Sequence, residues 1–381
     1  MKGVLGFGCS HLPLISQGDS TSIDEVELAR MVDLYLANGL IYFDVAYTYH
    51  DGACEEAIHR TLVRRHLREN FQLADKLPTL LIESEAHQEQ LFESQLMRCG
   101  VTYFDRYMVH CATHLFFERA EQFRSFEFAL RQKQLGRVRQ VGFSFHDTPE
   151  LLDRILTTYP EVDFVQLQIN YLDWNQTPIQ SQRCYEVARR HGKSIVAMCS
   201  LKGGTLATLP GDVERAMHAL HPDWSATTWA LRFVAELEGV DIVLSGMNTR
   251  EQMKTNIESM QIESLLGEEE HRLLERAAVA IRREMPIQCT GCGYCLPVCP
   301  QQIPIAEYMS LYNEEMRTAH RMTDILVASY KQQGHTHAKA SACIDCKRCE
   351  GRCPQHLSIA EWMQQIASVF EYAPMARLVR G

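Results

Sequence analysis

The 381-residue sequence predicts an α/β chain, a (β/α)8 TIM barrel followed by a small, mainly α-helical, ferredoxin-like iron–sulfur domain. Three observations carry this reading. Apolar runs and helix-period segments alternate through residues 1 to about 260. No G-x-G-x-x-G follows the first strand, which removes the usual signature of the doubly wound alternative. Two cysteine runs of identical spacing stand in the last hundred residues.

The strand-like runs are Val4–Phe7, Leu40–Val45, Phe71–Ala74, Tyr107–Val109, Val138–Phe143, Phe164–Ile169, Ser194–Met198 and Val240–Leu244. Helical period appears first in Ile23–Ala37, where Val26, Ala29, Val32, Leu34 and Leu36 recur among charges. It returns in Glu55–His66, Glu89–Cys99, Phe117–Leu135, Glu150–Leu156, Ile179–Arg190 and Ala226–Leu237. Strands alternating with helices imply parallel β-α-β units, and eight of them in about 260 residues match a barrel. A charged amphipathic helix, Glu268–Arg283, with Leu273, Leu274, Ala277 and Ile281 on one face, ends before Pro286. We therefore expect the barrel over residues 1–285 and the iron–sulfur domain over 286–381.

Composition narrows the function. A net charge of −10 argues against a nucleic-acid surface, which needs clustered cations. No apolar run approaches the roughly 18 residues of a membrane span. Met1–Gly8 lacks the features of a secretory signal and reads as a first strand, so the expected location is cytoplasmic. Eight of the 14 cysteines fall in the two runs, which favours metal over disulfides. Cys9, Cys54, Cys99, Cys111, Cys184 and Cys199 are scattered, as small buried hydrophobes usually are.

The cysteine runs form an internal repeat, Cys289-Thr-Gly-Cys292-Gly-Tyr-Cys295-Leu-Pro-Val-Cys299-Pro and Cys343-Ile-Asp-Cys346-Lys-Arg-Cys349-Glu-Gly-Arg-Cys353-Pro. Each reads C-x2-C-x2-C-x3-C-P. Iron–sulfur clusters require soft thiolates, and in paired sites of this kind the cysteine before proline serves the other cluster. The assignment is therefore Cys289, Cys292, Cys295 and Cys353 for one [4Fe–4S] cluster, and Cys343, Cys346, Cys349 and Cys299 for the second. Paired zinc sites are the alternative, but zinc would not call twice for a third x2-spaced cysteine with a trailing Cys-Pro. Helix-like stretches follow each run (Ile305–Tyr312, Ile359–Ser368), and Met309–Met316 and Met322–Lys331 look helical between them. That favours the α-helical ferredoxin type over the small β-hairpin type.

Barrel active sites lie at the C-terminal ends of the strands. There the second strand supplies Asp44, Tyr47 and Tyr49, the third Lys76, and the fourth His110. An ammonium beside a phenol should lower its pKa from about 10, with an aspartate keeping the lysine charged. Such a tyrosine can protonate a carbonyl oxygen as hydride reaches carbon.

At this point the chain resembles the aldo-keto reductase family across roughly residues 1–285. The resemblance rests on Phe43-Asp44-x-Ala46-x-x-Tyr49, Lys76, His110, Val141-Gly142-Phe143-Ser144, Gln166-Leu167-Gln168-Ile169-Asn170-Tyr171, Lys202-Gly203-Gly204, and Gly246-Met247 with Asn256. The subgroup it resembles carries a C-terminal ferredoxin-type domain. The resemblance implies Tyr49 as general acid, with Lys76 and Asp44 tuning it and His110 orienting the substrate carbonyl. Ser144 and Gln166 would hold the nicotinamide carboxamide. Gly246 and Met247 would lie along the nucleotide groove, with Gln252 and Asn256 near the adenosine half. Tyr47 is the competing phenol, but Tyr49 has the family's spacing from Asp44.

The sequence also departs from many members. Gln252 stands where a cation grips the 2′-phosphate of NADP, and the lysine usual near Gly246 is missing. Met198 aligns with a stacking tyrosine, and Phe145 with an asparagine. Three further features have plainer readings: His110 and His114 lack a third zinc ligand, His146 sits after the fifth strand, and Lys133–Arg139 reads as a solvated basic turn.

The expected function is an oxidoreductase interconverting a small-molecule carbonyl and an alcohol with NAD(P)(H). Nicotinamide moves a hydride while each cluster moves one electron. The clusters are thus expected to be structural, to feed a radical step, or to work with a flavin at the barrel mouth and a redox partner protein. The alternative is an electron-transfer protein whose barrel is a docking scaffold or flavin-binding module.

Overall fold

The computed structural model describes residues 3–16, 19–176, 178–262, 264–318, 323–334 and 336–372, with backbone alone at 111, 112, 323, 324 and 372. Met1, Lys2 and Met322 of the expected elements lie outside the described residues, as does the side chain of Cys111. The chain divides into two compact units, Met1–Lys202 with His221–His271, and Gly203–Leu220 with Arg272–Gly381. The second unit thus takes in more than the segment expected from the cysteine pattern.

In the first unit, β1 (Val4–Gly8), β2 (Tyr42–Asp44), β3 (Gln72–Leu77), β4 (Phe104–Ala112), β5 (Val138–Phe145), β6 (Phe164–Gln168), β7 (Ser194–Met198) and β8 (Val240–Gly246) form a closed barrel in chain order. All neighbours pair in parallel, and β8 returns to β1 with Val4 opposite Ile242. The period-two alternation of strands builds the interior in layers. Tyr42, Ala74, Met108, Phe164, Val196, Ile242 and Leu244 pack as one apolar layer. Two residues further along their strands stand Asp44, Lys76, His110 and Gln166, so the same periodicity that buries the layer lifts these four polar groups above it. The layer closes only because Gly142 has no side chain: a Cβ there would lie 2.4 Å from the Phe164 carbonyl oxygen and 2.8 Å from its ring. Below, Arg106 plugs the interior, its Nε donating to Gln140 Oε1 at 2.9 Å and its guanidinium 5.0 Å from the Phe164 ring centroid.

Outward-facing residues pack against the helices. Phe92, Phe104, Tyr107 and Phe128 meet with ring centroids 5.0–5.9 Å apart. The segment expected as one helix over Phe117–Leu135 is two, His114–Gln122 and Ser125–Gln134. Arg124 breaks it by adopting a left-handed conformation (φ +55°), while the Phe123 carbonyl accepts from Gln88 Nε2 at 2.7 Å. Gly211–Leu220 and Arg250–Gln261 are helices the sequence reading leaves out. Thr249 caps the latter, its hydroxyl accepting from the Gln252 amide at 3.2 Å.

The second unit is helical, with Ile305–Arg317, Thr323–Gln333 and Ile359–Ala367 around a core that includes Ile287, Tyr308, Tyr330, Met363, Ile366 and Phe370. Tyr330 stacks on Phe370 at 5.2 Å. Asn313 holds the strandless entry to the first cysteine run, accepting from the Ile287 amide at 3.0 Å and donating to its carbonyl at 2.7 Å. Gly203 lies against the same run; a Cβ there would come within 2.5 Å of the Thr290 carbonyl oxygen. Among the described residues no helix is long and apolar enough to cross a membrane.

Candidate active site and thiol cradle

Asp44 and Lys76 end adjacent strands on the inner face and are 2% and 1% exposed. Lys76 Nζ donates to Asp44 Oδ1 at 2.5 Å and to the Val45 carbonyl at 2.7 Å. Burial alone would lower the lysine pKa, but the charge and hydrogen bond of Asp44 more than reverse this, so the ammonium is held above its usual range. The other Asp44 oxygen accepts from Gln166 Nε2 at 3.1 Å.

Tyr49 opens a short turn after β2, in which His50 and Asp51 are left-handed (φ +54° and +48°). That turn folds the phenol ring over the ion pair, with Lys76 Nζ 4.7 Å from the ring centroid, and edge-on to His110 at 6.3 Å. The expected lowering of the phenol pKa is not what the site produces. Burial, followed by the Asp44 charge, pushes Tyr49 well above the ordinary tyrosine range. The reason is where the cation spends itself: Lys76 bonds Asp44 and Val45 and faces the ring. Burial, then the charges of Lys76 and His146, push His110 well below the usual histidine range, so its imidazole is neutral. Its backbone carbonyl is fixed by the Thr79 hydroxyl at 3.0 Å. The layer therefore combines a neutral imidazole and a protonated phenol above a satisfied ion pair, a set that can donate protons to an oxygen without itself being charged.

Ser144 is buried near the end of β5, and Met247 is buried just past β8. Gly246 ends β8 beside His11, whose Nδ1 would be 3.2 Å from a Cβ at that position. Asn256 is buried and donates to Ser245 Oγ at 2.9 Å, whereas Gln252 is exposed and its Oε1 caps the Asn248 amide at 2.9 Å. Of the two cations on that helix, Arg250 is bound to Glu27 at 2.7 Å and Lys254 is exposed.

Behind the strand lies a set of charges that the sequence reading does not assign. Asp75 alternates with Lys76 and so faces outward, toward Glu55, Gln95 and Cys99; both carboxylates are fully buried. Burial, then the Glu55 charge, pushes Asp75 well above the usual carboxyl range, while Glu55 is bound by Arg98 and, at 3.3 Å, by Gln95. Gln95 also donates to the Lys76 carbonyl at 3.0 Å. The available signal was an aspartate at an outward position of an interior strand, which must have a partner. A second unassigned network joins Lys202 to Asp173 at 2.7 and 2.8 Å, with Gln168 and Asn170 donating to the same carboxylate.

In the second unit, Cys289, Cys292, Cys295 and Cys353 line one partly open cavity, with Ile305, Met309, Leu357 and Ile359 as its apolar wall. Four soft donors converging from both halves of the repeat fit a cuboidal cluster. Burial, then the neighbouring thiols Cys292, Cys289 and Cys353, raises Cys295. Burial pushes Cys349 up to about 11, with Cys299 among its electrostatic neighbours. The repeat extends to the backbone. Gly291 and Gly293 are left-handed (φ +70° and +75°), and so are their counterparts Asp345 and Lys347 (φ +52° and +56°). Gln302 and His356, each three residues past the last cysteine of its run, match as well (φ +54° and +51°).

His114 is exposed and lies 3.6 Å from Glu118, away from a buried His110. The basic run 133–139 is less solvated than expected: Lys133 pairs with Asp163, Arg137 with Glu89 and Glu93, and Arg139 with Asp105. Tyr47 sits under Arg98, 5.3 Å from its ring. Cys9, Cys54, Cys99 and Cys184 are buried and Cys199 is partly so.

No curated protein sequence matches the chain. In three dimensions the barrel is similar to the holo form of aldo-keto reductase AKR11C1 from Bacillus halodurans (22% identity, TM-score 0.57, 72% of this chain and 91% of that one). It is also similar to an aldo-keto reductase from Klebsiella pneumoniae in complex with NADPH (19%, TM-score 0.57, 72% and 95%). A third is the thermostable aldo-keto reductase Tm1743 in complex with the inhibitor epalrestat (20%, TM-score 0.55, 72% and 94%). These likenesses show the fold. A family model, aldo/keto reductase family, matches residues 4–278, and a second, 4Fe-4S dicluster domain, matches residues 288–358. Since the first of these spans well over half its length, the chain belongs to the aldo/keto reductase family and carries a 4Fe-4S dicluster domain after the barrel.

Proposed function

We propose that residues 1–285 interconvert a small-molecule carbonyl and an alcohol with a nicotinamide nucleotide, and that residues 286–381 hold two [4Fe–4S] clusters. The observation that carries the barrel reading is the buried Asp44–Lys76 pair, 2.5 Å apart, beneath Tyr49 and a neutral His110. Tyr49 donates the proton to the carbonyl oxygen, and His110 orients that oxygen through its ring N–H. Lys76, kept charged by Asp44, stabilises negative charge as it develops. Ser144 and Gln166 hold the carboxamide; the Gln166 amide nitrogen is committed to Asp44, which leaves its oxygen to accept. Gly246, Met247, Gln252 and Asn256 follow the rest of the nucleotide. The nucleotide supplies the hydride.

Similarity to a reductase solved with NADPH supports a nicotinamide here. With Gln252 used as a backbone cap and Arg250 bound to Glu27, we expect no large advantage for NADP over NAD. Cys289, Cys292, Cys295 and Cys353 bind one cluster and Cys343, Cys346, Cys349 and Cys299 the other; the shared cavity of the first four supports the crossed set. The reading calls for no flavin.

The test is turnover of aldehydes and ketones with NADH and NADPH by anaerobically purified protein. Tyr49→Phe should lower kcat by about 10²–10⁴ with little change in nucleotide affinity. Tyr47→Phe should be mild. A carbonyl substrate reduced at the wild-type rate by Tyr49→Phe would overturn the mechanism.

A further inference from the structure

The turn that carries Tyr49 is held by a residue the sequence reading does not single out. His50 and Asp51 follow Tyr49 in left-handed conformations without being glycine (φ +54° and +48°), so the turn needs support from outside itself. That support comes from the loop after β1. The loop doubles back, with Leu14 paired antiparallel to Ile23 and the Ile15 amide donating to the Ser22 carbonyl at 2.7 Å. Leu12 and Ser20 thereby reach the two nitrogens of one imidazole. His50 Nε2 accepts from the Leu12 amide at 3.1 Å, and Nδ1 donates to the Ser20 carbonyl at 2.9 Å. Asp51 accepts from the Ser20 hydroxyl. The loop leaves β1 through Cys9, whose amide donates to the Asp44 carbonyl at 2.9 Å. It is thus anchored on Asp44 at its start and clasped further on by the two residues that follow Tyr49.

We propose that His50 is the positioning residue of Tyr49, its ring clasping the loop after β1 so that the phenol stays over Lys76. The proposal rests on the reading of Tyr49 as proton donor and adds the residue that places it. Only a neutral ring, one nitrogen donating and the other accepting, makes both bonds. A second proton sets N–H against N–H at Leu12, a residue 2% exposed whose amide then loses its acceptor. The titratable groups facing the ring are Asp51 and His11. Burial lowers the His50 pKa, and the carbonyls of Ser20 and Cys9 with the Asp51 charge only partly offset this. His11 is itself held low by burial and by His50. The clasp is therefore closed at neutral pH and opens as pH falls through a His50 pKa below the usual value of about 6.5.

The test uses the full-length, cluster-loaded protein, a panel of aldehydes and ketones with NADH and NADPH, and hydrogen exchange at the Leu12 amide. His50→Gly removes the ring while keeping a left-handed backbone free of strain. It should strip protection from the Leu12 amide and lower kcat about tenfold at neutral pH, with KM for the nucleotide unchanged, as a displaced proton donor would. In a Tyr49→Phe background the same change should cost almost nothing, because His50 acts through the phenol. Wild-type kcat and Leu12 protection should both fall as pH drops below about 6.5, and His50→Gly should show neither fall. A His50→Gly loss that persists in full in Tyr49→Phe, an acid limb that survives in His50→Gly, or unchanged Leu12 protection would each overturn the proposal. Wild-type protein that reduces none of the panel would instead defeat the reading of Tyr49 as proton donor, and the role of His50 with it.

Discussion

Removing Lys76 should cost far more stability than losing one hydrogen bond. Its Nζ lies 2.5 Å from Asp44 Oδ1 with both side chains at most 2% exposed. At an effective dielectric of about 20 that separation gives an attraction of about 7 kcal/mol, set against a desolvation penalty of several kcal/mol for each ion. The intact pair is therefore worth little net, but Lys76→Met leaves a buried carboxylate with Gln166 as its remaining donor. The expected loss is about 3–5 kcal/mol, and about the same for Asp44→Asn, which strands the ammonium. The double variant leaves no charge and an amide that still pairs with Gln166, so it should fall short of the sum of the singles by about 2–3 kcal/mol. Because the folded pKa of Lys76 is raised, the pair's contribution is whole below the unfolded value of about 10.4 and is lost only as pH climbs through the higher folded value. Urea unfolding at pH 7 followed by tryptophan fluorescence suits the question, since Trp174, Trp224 and Trp229 lie in the first unit and Trp362 in the second. Single variants that lose less than about 1 kcal/mol, or effects that simply add, would refute the claim of a buried, mutually dependent pair.

Two further outcomes follow from buried groups. Asp75 has a raised folded pKa, so the folded protein keeps a proton that the unfolded chain releases near pH 4, and stability declines as pH rises above that point. Asp75→Asn mimics the protonated acid, and its stability relative to wild type should improve by up to about 1.4 kcal/mol per pH unit between pH 4 and 7; a variant that fares worse at pH 7 than at pH 5 would contradict this. For the clusters, wild-type protein should carry about eight irons. Cys353→Ala should leave the same residual spectrum as Cys292→Ala and a different one from Cys346→Ala; the opposite pairing would disprove the crossed ligand set.

Much of the site was legible because a strand has only two faces. Asp44, Lys76, His110 and Gln166 are each two residues from an inward apolar residue, so position along the strand alone places them together. The cysteine spacing was legible for a similar reason, since x2 intervals leave little conformational choice. What the sequence does not carry is how charge is shared once the groups meet. The reading of Tyr49 as an acidified phenol assumed that Lys76 would serve it; the geometry gives the cation to Asp44 and Val45. Likewise the break at Arg124 has no glycine or proline to announce it, and depends on Gln88, 35 residues away in the chain, capturing the Phe123 carbonyl.

The matched left-handed positions of the two cysteine loops imply different relations to iron supply. Glycines at 291 and 293 enter that conformation without steric penalty, so metallation of the first loop mainly restricts motion. Asp345 and Lys347 carry a Cβ into it, at about 1–2 kcal/mol each. The second loop keeps its shape against its own local preference, and on the ligand set proposed above thiolate–iron bonds would supply the restraint. When iron is scarce, the second loop should be the first to relax, and a shortage of metal would then be felt first at the exposed stretch Ile344–Arg348.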